Sequence, residues 1–153
     1  MRLLLDTNVL VLFIVGSIRP EEIGKAKRIQ EFDRDDFDLI AHFASQTREH
    51  ISTAHVLAET SNFIGSGYQE ITKGACEALG EYVTKLSEIP FPAKEIVSTE
   101  EYRLLGLTDA AVLLLSEGNT RVISTDFHLC NRLTAKGVDA VNPRNFRTPG
   151  YAV

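Results

Sequence analysis

Four acids stand in settings from which they can act together: Asp6, Glu59, Asp109 and Asp126. Asp6 ends the apolar run Arg2-Leu3-Leu4-Leu5 and leads into Thr7-Asn8, and Asp126 ends Arg121-Val122-Ile123-Ser124-Thr125. Glu59 lies in the helical stretch Ser52-Thr53-Ala54-His55-Val56-Leu57-Ala58, and Asp109 follows Leu107-Thr108 and opens the run Ala110-Ala111-Val112. Carboxylates at strand ends and helix starts of an alternating chain can converge on one edge of a sheet. Gathered there, they repel one another unless cations are bound. Hard divalent ions with oxygen ligands meet that need, and Mg²⁺ uses a few carboxylates plus water and substrate phosphate. The chemistry expected of such a set is metal-dependent phosphodiester hydrolysis. The ion lowers the pKa of a bound water, which attacks phosphorus in line, and one or two cations stabilise the charge developing on the phosphate oxygens.

The elements that must position these acids are legible from periodicity and punctuation. Leu3 to Leu5 reads as a short buried strand, and Val9 to Val15 as the start of a helix, with strand left open by its β-branched content, broken at Gly16-Ser17. Pro20 opens a helix in which Ile23, Ala26, Ile29 and Phe32 recur at helical spacing. A second helix follows through Phe37, Ile40, Phe43 and Ala44. Ile51 begins a strand, and Ser52 or Thr53 caps the helix carrying Glu59. Tyr68 to Leu86 reads as one amphipathic helix. Ile89 to Val97, with Pro90 and Pro92, reads as an extended connection or weak edge strand. Ser98 or Thr99 caps a helix from Glu100 to Leu105, and Thr108 caps the next, with Asp109 in its first turn. Val122 to Ser124 is a strand, Phe127 to Ala135 a helix stopped by Gly137, and Val138 to Val141 a last strand. Strands alternating with helices predict a three-layer α/β/α sandwich with a mainly parallel central sheet. Active groups of such sheets gather beyond the C-terminal strand ends, where Asp6 and Asp126 fall.

Global properties bound the reading. A chain of 153 residues with 44% apolar composition suits a single domain, 1–153, with an ordinary core. Sixteen Lys and Arg against 21 Asp and Glu give a net charge of −5, which argues against broad electrostatic binding of nucleic acid but not against a nuclease. Two cations on the acid cluster would cancel four of those charges. Cys76 and Cys130 lack metal-ligand spacing and are expected to be free thiols of a reducing compartment. The N-terminal apolar stretch, interrupted by Asp6 and Asn8, is neither a signal peptide nor a membrane span, so a cytoplasmic protein without membrane contact is expected.

The segments Leu4-Leu5-Asp6-Thr7-Asn8-Val9-Leu10, Leu57-Ala58-Glu59, Leu107-Thr108-Asp109-Ala110-Ala111 and Ser124-Thr125-Asp126-Phe127-His128-Leu129 together resemble the PIN domain, a family of Mg²⁺- or Mn²⁺-dependent ribonucleases. The tail from Gly137-Val138 to Asn142-Pro143-Arg144-Asn145-Phe146 fits the way such domains finish. The resemblance spans nearly the whole chain in the family's order. It implies that Asp6, Glu59, Asp109 and Asp126 form the catalytic acidic quartet. Asp6, Asp109 and Asp126 would be metal ligands, and Asn8 and Thr125 polar supports. Thr7 and Ser124 are further candidates to orient the carboxylates by hydrogen bonding. Small single-domain members are often toxins of VapBC-type toxin–antitoxin pairs, so the resemblance also implies an RNA substrate, a protein antitoxin and a homodimer. The segment 17–49 is longer than compact toxins of this type need. It suggests a substrate clamp, a dimer surface or an antitoxin groove.

Each acid alone has a plainer role. Asp6-Thr7-Asn8 suits a turn, Glu59 a solvated helix surface, Asp109 the helix dipole and Asp126 an N-cap. His42, His50, His55 and His128 show no ligand spacing. Arg19, Lys25, Lys27, Arg28, Arg132, Lys136, Arg144 and Arg147 are candidate phosphate contacts as a group, diluted by Glu31, Asp33, Asp35, Asp36 and Asp38. A haloacid-dehalogenase-like phosphatase would need an acid two residues after its nucleophilic Asp, and that position is Asn8. The alternatives that keep the four acids in view are an RNA-processing nuclease outside toxin–antitoxin systems and a non-catalytic RNA- or protein-binding scaffold.

Overall fold

Leu3, Leu4 and Leu5 are buried, as a strand covered on both faces must be, and they form the centre of the sheet. The computed structural model describes residues 1–147. Its strands are β1 (Arg2–Leu5), β2 (Glu49–Ser52), β3 (Ser87–Glu88), β4 (Thr120–Ile123) and β5 (Asp139–Val141), in the spatial order β3-β2-β1-β4-β5. Every neighbouring pair is parallel, with Leu5 opposite Ile123 and Leu4 opposite Ile51. The chain builds outward from β1 to β3 on one side, then crosses back to β4 and β5 on the other. The order therefore reverses between β1 and β4. At such a switch point the connections leave to opposite faces and open a crevice beyond the C-terminal strand ends.

The helices are α1 (Thr7–Ile18), α2 (Arg34–Gln46), α3 (Ala54–Ile64), α4 (Ala75–Lys85), α5 (Ala93–Ile96), α6 (Glu100–Leu105), α7 (Leu107–Leu115) and α8 (Phe127–Ala135). α1 packs against α2, α3 and α4, while α7 packs against α5, α6 and α8. Right-handed crossovers put the first group on one face of the sheet and the second on the other, giving three α/β/α layers. α1 is apolar nearly all round and is buried from Val9 through Leu12 and at Ile14 and Val15, as befits a helix inside the core. A contact between α3 and α7 joins the two groups. No helix among the described residues is long and apolar enough to cross a membrane.

Several local expectations are corrected. α1 continues through Gly16 and Ser17 to Ile18, because Gly16 lets the Phe37 ring of α2 approach where a Cβ would meet it at 2.5 Å. The helix expected after Pro20 stops as a 3-10 turn, Pro20–Glu22. Gly24 and Arg28 both adopt positive φ, 82° and 76°, which no right-handed helix accommodates. Ala26, Ile29 and Phe32 are buried nonetheless, so their spacing reflects a packed irregular segment. Likewise 68–86 becomes a 3-10 turn, Gly67–Gln69, and a helix that starts only after Gly74 at φ 90°. The edge strand lies at Ser87–Glu88, before the prolines, and Ala93–Ile96 is helical. The capping roles also shift. Thr53 occupies the N-cap of α3 without capping it, its hydroxyl meeting His55 Nδ1 at 3.0 Å. Gly106, not Thr108, precedes α7.

Candidate active site

Two of the acids are fixed by the sheet itself. Asp6 follows β1, and its backbone N–H donates to the Ile123 carbonyl at 3.0 Å, so the ends of β1 and β4 are stitched together. One carboxylate oxygen of Asp6 accepts from the Thr7 N–H at 2.8 Å, capping α1. The other accepts from the Ser124 hydroxyl at 2.6 Å, across 118 residues of sequence. The same hydroxyl oxygen accepts the Asp126 N–H at 3.0 Å, and Asp126 caps α8 through the Leu129 N–H at 2.8 Å. Ser124, fully buried, is therefore the hub that sets Asp6 and Asp126 beside each other. The capping roles expected of these residues are real, and each leaves carboxylate lone pairs for a ligand.

The other two acids come from the paired helices α3 and α7. Thr108 donates its hydroxyl to Glu59 Oε2 at 2.6 Å, a bond across the junction of the two helical groups. Asp109 is the next residue. Asp6, Glu59, Asp109 and Asp126 all line one polar cleft of about 380 Å³, together with Thr7, Asn8 and Thr125. The four acids and the polar candidates Thr7, Asn8 and Thr125 are therefore on this cleft, while Ser124 lies buried behind it. Among the described residues, however, no three His, Cys, Asp or Glu side chains stand close enough to hold a metal ion as they are. The carboxylates share the cleft while each is tied to its own hydrogen-bond donor or helix start. Like charges in one site have reason to stay apart.

The electrostatics carry the same message. Burial raises the Asp6 carboxyl above its ordinary value, the bonds from Ser124 and Thr7 pull it back, and Glu59 and Asp126 push it up again. Burial lifts Asp109 up to about 7, with the charges of Asp6, Asp126 and Glu59 adding to it. Cys130 lies close enough to feel Asp6 and Asp126, and burial with those charges takes its thiol up to about 11. That makes it a poor nucleophile. Cys76 and Cys130 are both free.

As a donor set, these residues suit a hard divalent cation: four oxygen-bearing acids on one cleft, two of them resisting ionisation as they stand. Thr7 Oγ1 is buried on the same cleft without a partner in the protein.

The remaining lining was less legible. Phe63, four residues after Glu59 on α3, occupies the same helix face one turn on, a spacing that could have nominated it. Arg28, Glu31 and Arg144 complete the cleft, brought there by the irregular 23–33 segment and the C-terminal turn Pro143–Phe146. Other basic candidates do structural work. Arg147 bonds the buried Asp36 and, at 2.8 Å, the Glu31 carbonyl, while Lys136 donates to the Leu113 carbonyl at 2.8 Å. His50 is structural too, bonded to Tyr82 and to the Ala44 carbonyl at 3.1 and 3.0 Å. No protein-family model matches the chain, and no curated protein matches it.

Proposed function

We propose that the chain is a metal-dependent endoribonuclease of PIN type whose cleft hydrolyses RNA phosphodiester bonds. The observation that carries this reading is the convergence of Asp6, Glu59, Asp109 and Asp126 on one polar cleft at the switch point of a parallel sheet. Asp6, Asp109 and Asp126 would hold the Mg²⁺ or Mn²⁺, with Glu59 completing the acidic lining. The bound ion supplies an activated water and a counter-charge for the phosphate. The protein's own part is orientation. Ser124 fixes Asp6 against Asp126, and Thr108 fixes Glu59 beside Asp109. Asn8 and Thr125, on the same lining, are polar supports placed to bond water or substrate. The raised carboxyls of Asp6 and Asp109 make ion uptake proton-coupled, because a ligand oxygen must lose its proton before it binds.

A toxin role, restrained by a protein antitoxin and exerted by a cytoplasmic homodimer, is the cellular setting that fits this reading. Cleavage of end-labelled single-stranded RNA with Mg²⁺ or Mn²⁺ tests the activity. Cutting that disappears with chelator and with Asp6→Asn is expected. Folded, antitoxin-free protein that leaves a broad RNA pool intact under both metals would overturn it.

A further inference from the structure

Arg28 is held in the acidic cleft without neutralising it. Its guanidinium carbon stands 4.0 Å from the centroid of the Phe63 ring, and both side chains line the cleft of the four acids. Among the described residues Arg28 makes no ion pair, whereas Arg144 on the same cleft is engaged by Glu31 at 2.5 Å. A cation placed to stabilise the apo fold would pair with a carboxylate. This one is stacked on an aromatic ring, which fixes the guanidinium plane and leaves its N–H donors unspent. The backbone supports the same conclusion. Arg28 is the only non-glycine residue with positive φ among those described, at 76°, a conformation that costs a side-chain-bearing residue free energy. Strain retained at a cleft residue, where Gly or Asn would relax it, points to a side chain kept for its chemistry.

We infer that Arg28, positioned by Phe63, is the anion-binding group of this cleft and holds a phosphodiester of single-stranded RNA against the acidic cluster. The inference rests on the nuclease reading for its substrate, and its ligand chemistry is that of a backbone phosphate. Guanidinium meets phosphate through two parallel N–H donors, a geometry that an ammonium cannot copy. Arg28 is thus a positioning residue that sets affinity and register without reading sequence.

The test is fluorescence anisotropy of a short labelled single-stranded RNA of random sequence, titrated with salt in Mg²⁺. It uses the full chain carrying Asp6→Asn to prevent turnover, with and without Arg28→Asn. Asn tolerates positive φ, so this variant removes the cation while keeping the backbone. The expected result is about a ten- to hundredfold loss of affinity and a salt slope shallower by about 0.7, the share of one single-strand phosphate. Phe63→Leu should weaken binding by about two- to fivefold and leave that slope unchanged. Arg28→Lys should restore the slope but only part of the affinity. Cleavage by the otherwise unaltered chain is measured alongside, and there Arg28→Asn should raise KM far more than it lowers kcat. Unchanged affinity and slope in Arg28→Asn, with RNA still cut by the unaltered chain, would overturn the anion-binding role and leave the nuclease standing. Arg28-dependent binding without any cleavage would do the reverse. RNA that the chain neither binds nor cuts would overturn both.

Discussion

Ser124 serves two carboxylate-bearing residues with one oxygen, giving its proton to Asp6 and accepting the Asp126 N–H. Ser124→Ala leaves both groups without that partner in a partly buried setting, and about 1–2 kcal/mol of stability should be lost. Denaturant unfolding measures that loss directly. The Ser124 bond also lowers the Asp6 carboxyl, so the same variant should push Asp6 further up. If Asp6 binds a metal, affinity for the ion falls by about 10- to 100-fold. Asp109 makes an opposite prediction. Its carboxyl, at about 7 when folded against an ordinary 3.8, keeps a proton that the unfolded chain has already released. Stability of the metal-free protein should therefore fall as pH rises from about 4 to about 7 and stay low beyond it. Asp109→Asn removes that charge, and above about pH 7 it should be the more stable protein in chelator. Solvent reaches this carboxyl and screens it, which trims the gain to about 1–2 kcal/mol. Near pH 3.8 the two proteins should unfold alike. A variant less stable at both ends would sink the account. Asp6, Asp109 and Asp126 were legible because each sits beside a strong local signal, a strand end or a helix start. Glu59, in the middle of α3, had the weakest local signature and was nominated by the family resemblance. Arg28 was legible only as one of a group of candidate phosphate contacts, and its pairing with Phe63 was not, because that pairing rests on a positive φ and a long-range contact that no periodicity encodes.

Elements whose role follows from local rules came through the sequence nearly intact. Phe127–Ala135 is bounded by an Asp cap and a glycine stop, and Thr99 caps α6 through the Tyr102 N–H. Leu3 to Leu5 reads as a buried strand because nothing polar interrupts it. The failures occurred where burial mimics helical spacing. Ala26, Ile29 and Phe32 face the core from a chain bent at Gly24 and Arg28, so their period of three carries no helix. The short edge strand β3, with only Ser87 and Glu88, has no apolar alternation to reveal it. Packing between α1 and α2 shows the same dependence on tertiary context. Gly16 reads as a helix breaker, yet it is the contact point for Phe37, whose ring carbons lie 2.5 and 2.7 Å from where a Cβ would stand. Gly16→Ala adds helix propensity of about 1 kcal/mol but forces the ring aside in a filled core, at a cost of about 1–3 kcal/mol. Net destabilisation is expected. Combining it with Phe37→Leu should recover much of the loss, a coupling that a double-mutant cycle would read. Strict additivity of the two changes would mean that the ring is not what Gly16 accommodates.

At the scale of the whole molecule, the fold concentrates negative charge at one place and tolerates the strain. The chain carries a net charge of −5, and its sheet order β3-β2-β1-β4-β5 directs four acids into the crevice at the β1–β4 switch point. Two of those acids have carboxyls raised first by burial and then by their neighbours' charges, so ionising the metal-free cleft costs the folded protein stability. A cation that binds the folded chain and not the unfolded one stabilises by mass action, about 2.7 kcal/mol at a hundred times its Kd. For a domain of this size that is a rise of about 5–10 °C in Tm. The proton linkage gives this rise a pH signature. Below about pH 4 the raised carboxyls of Asp6 and Asp109 keep their protons and the ion has less to bind. As pH climbs towards about 7, Asp109 gives up its proton and the increment should grow, while the metal-free protein itself becomes less stable. Melting curves with Mn²⁺ or Mg²⁺ and with chelator should thus diverge progressively across that window. Asp6→Asn should abolish the divergence without unfolding the protein. Curves that stay superimposed with and without either ion from about pH 4 to above about pH 7 would remove the divalent cation from this cleft, and the hydrolytic mechanism with it.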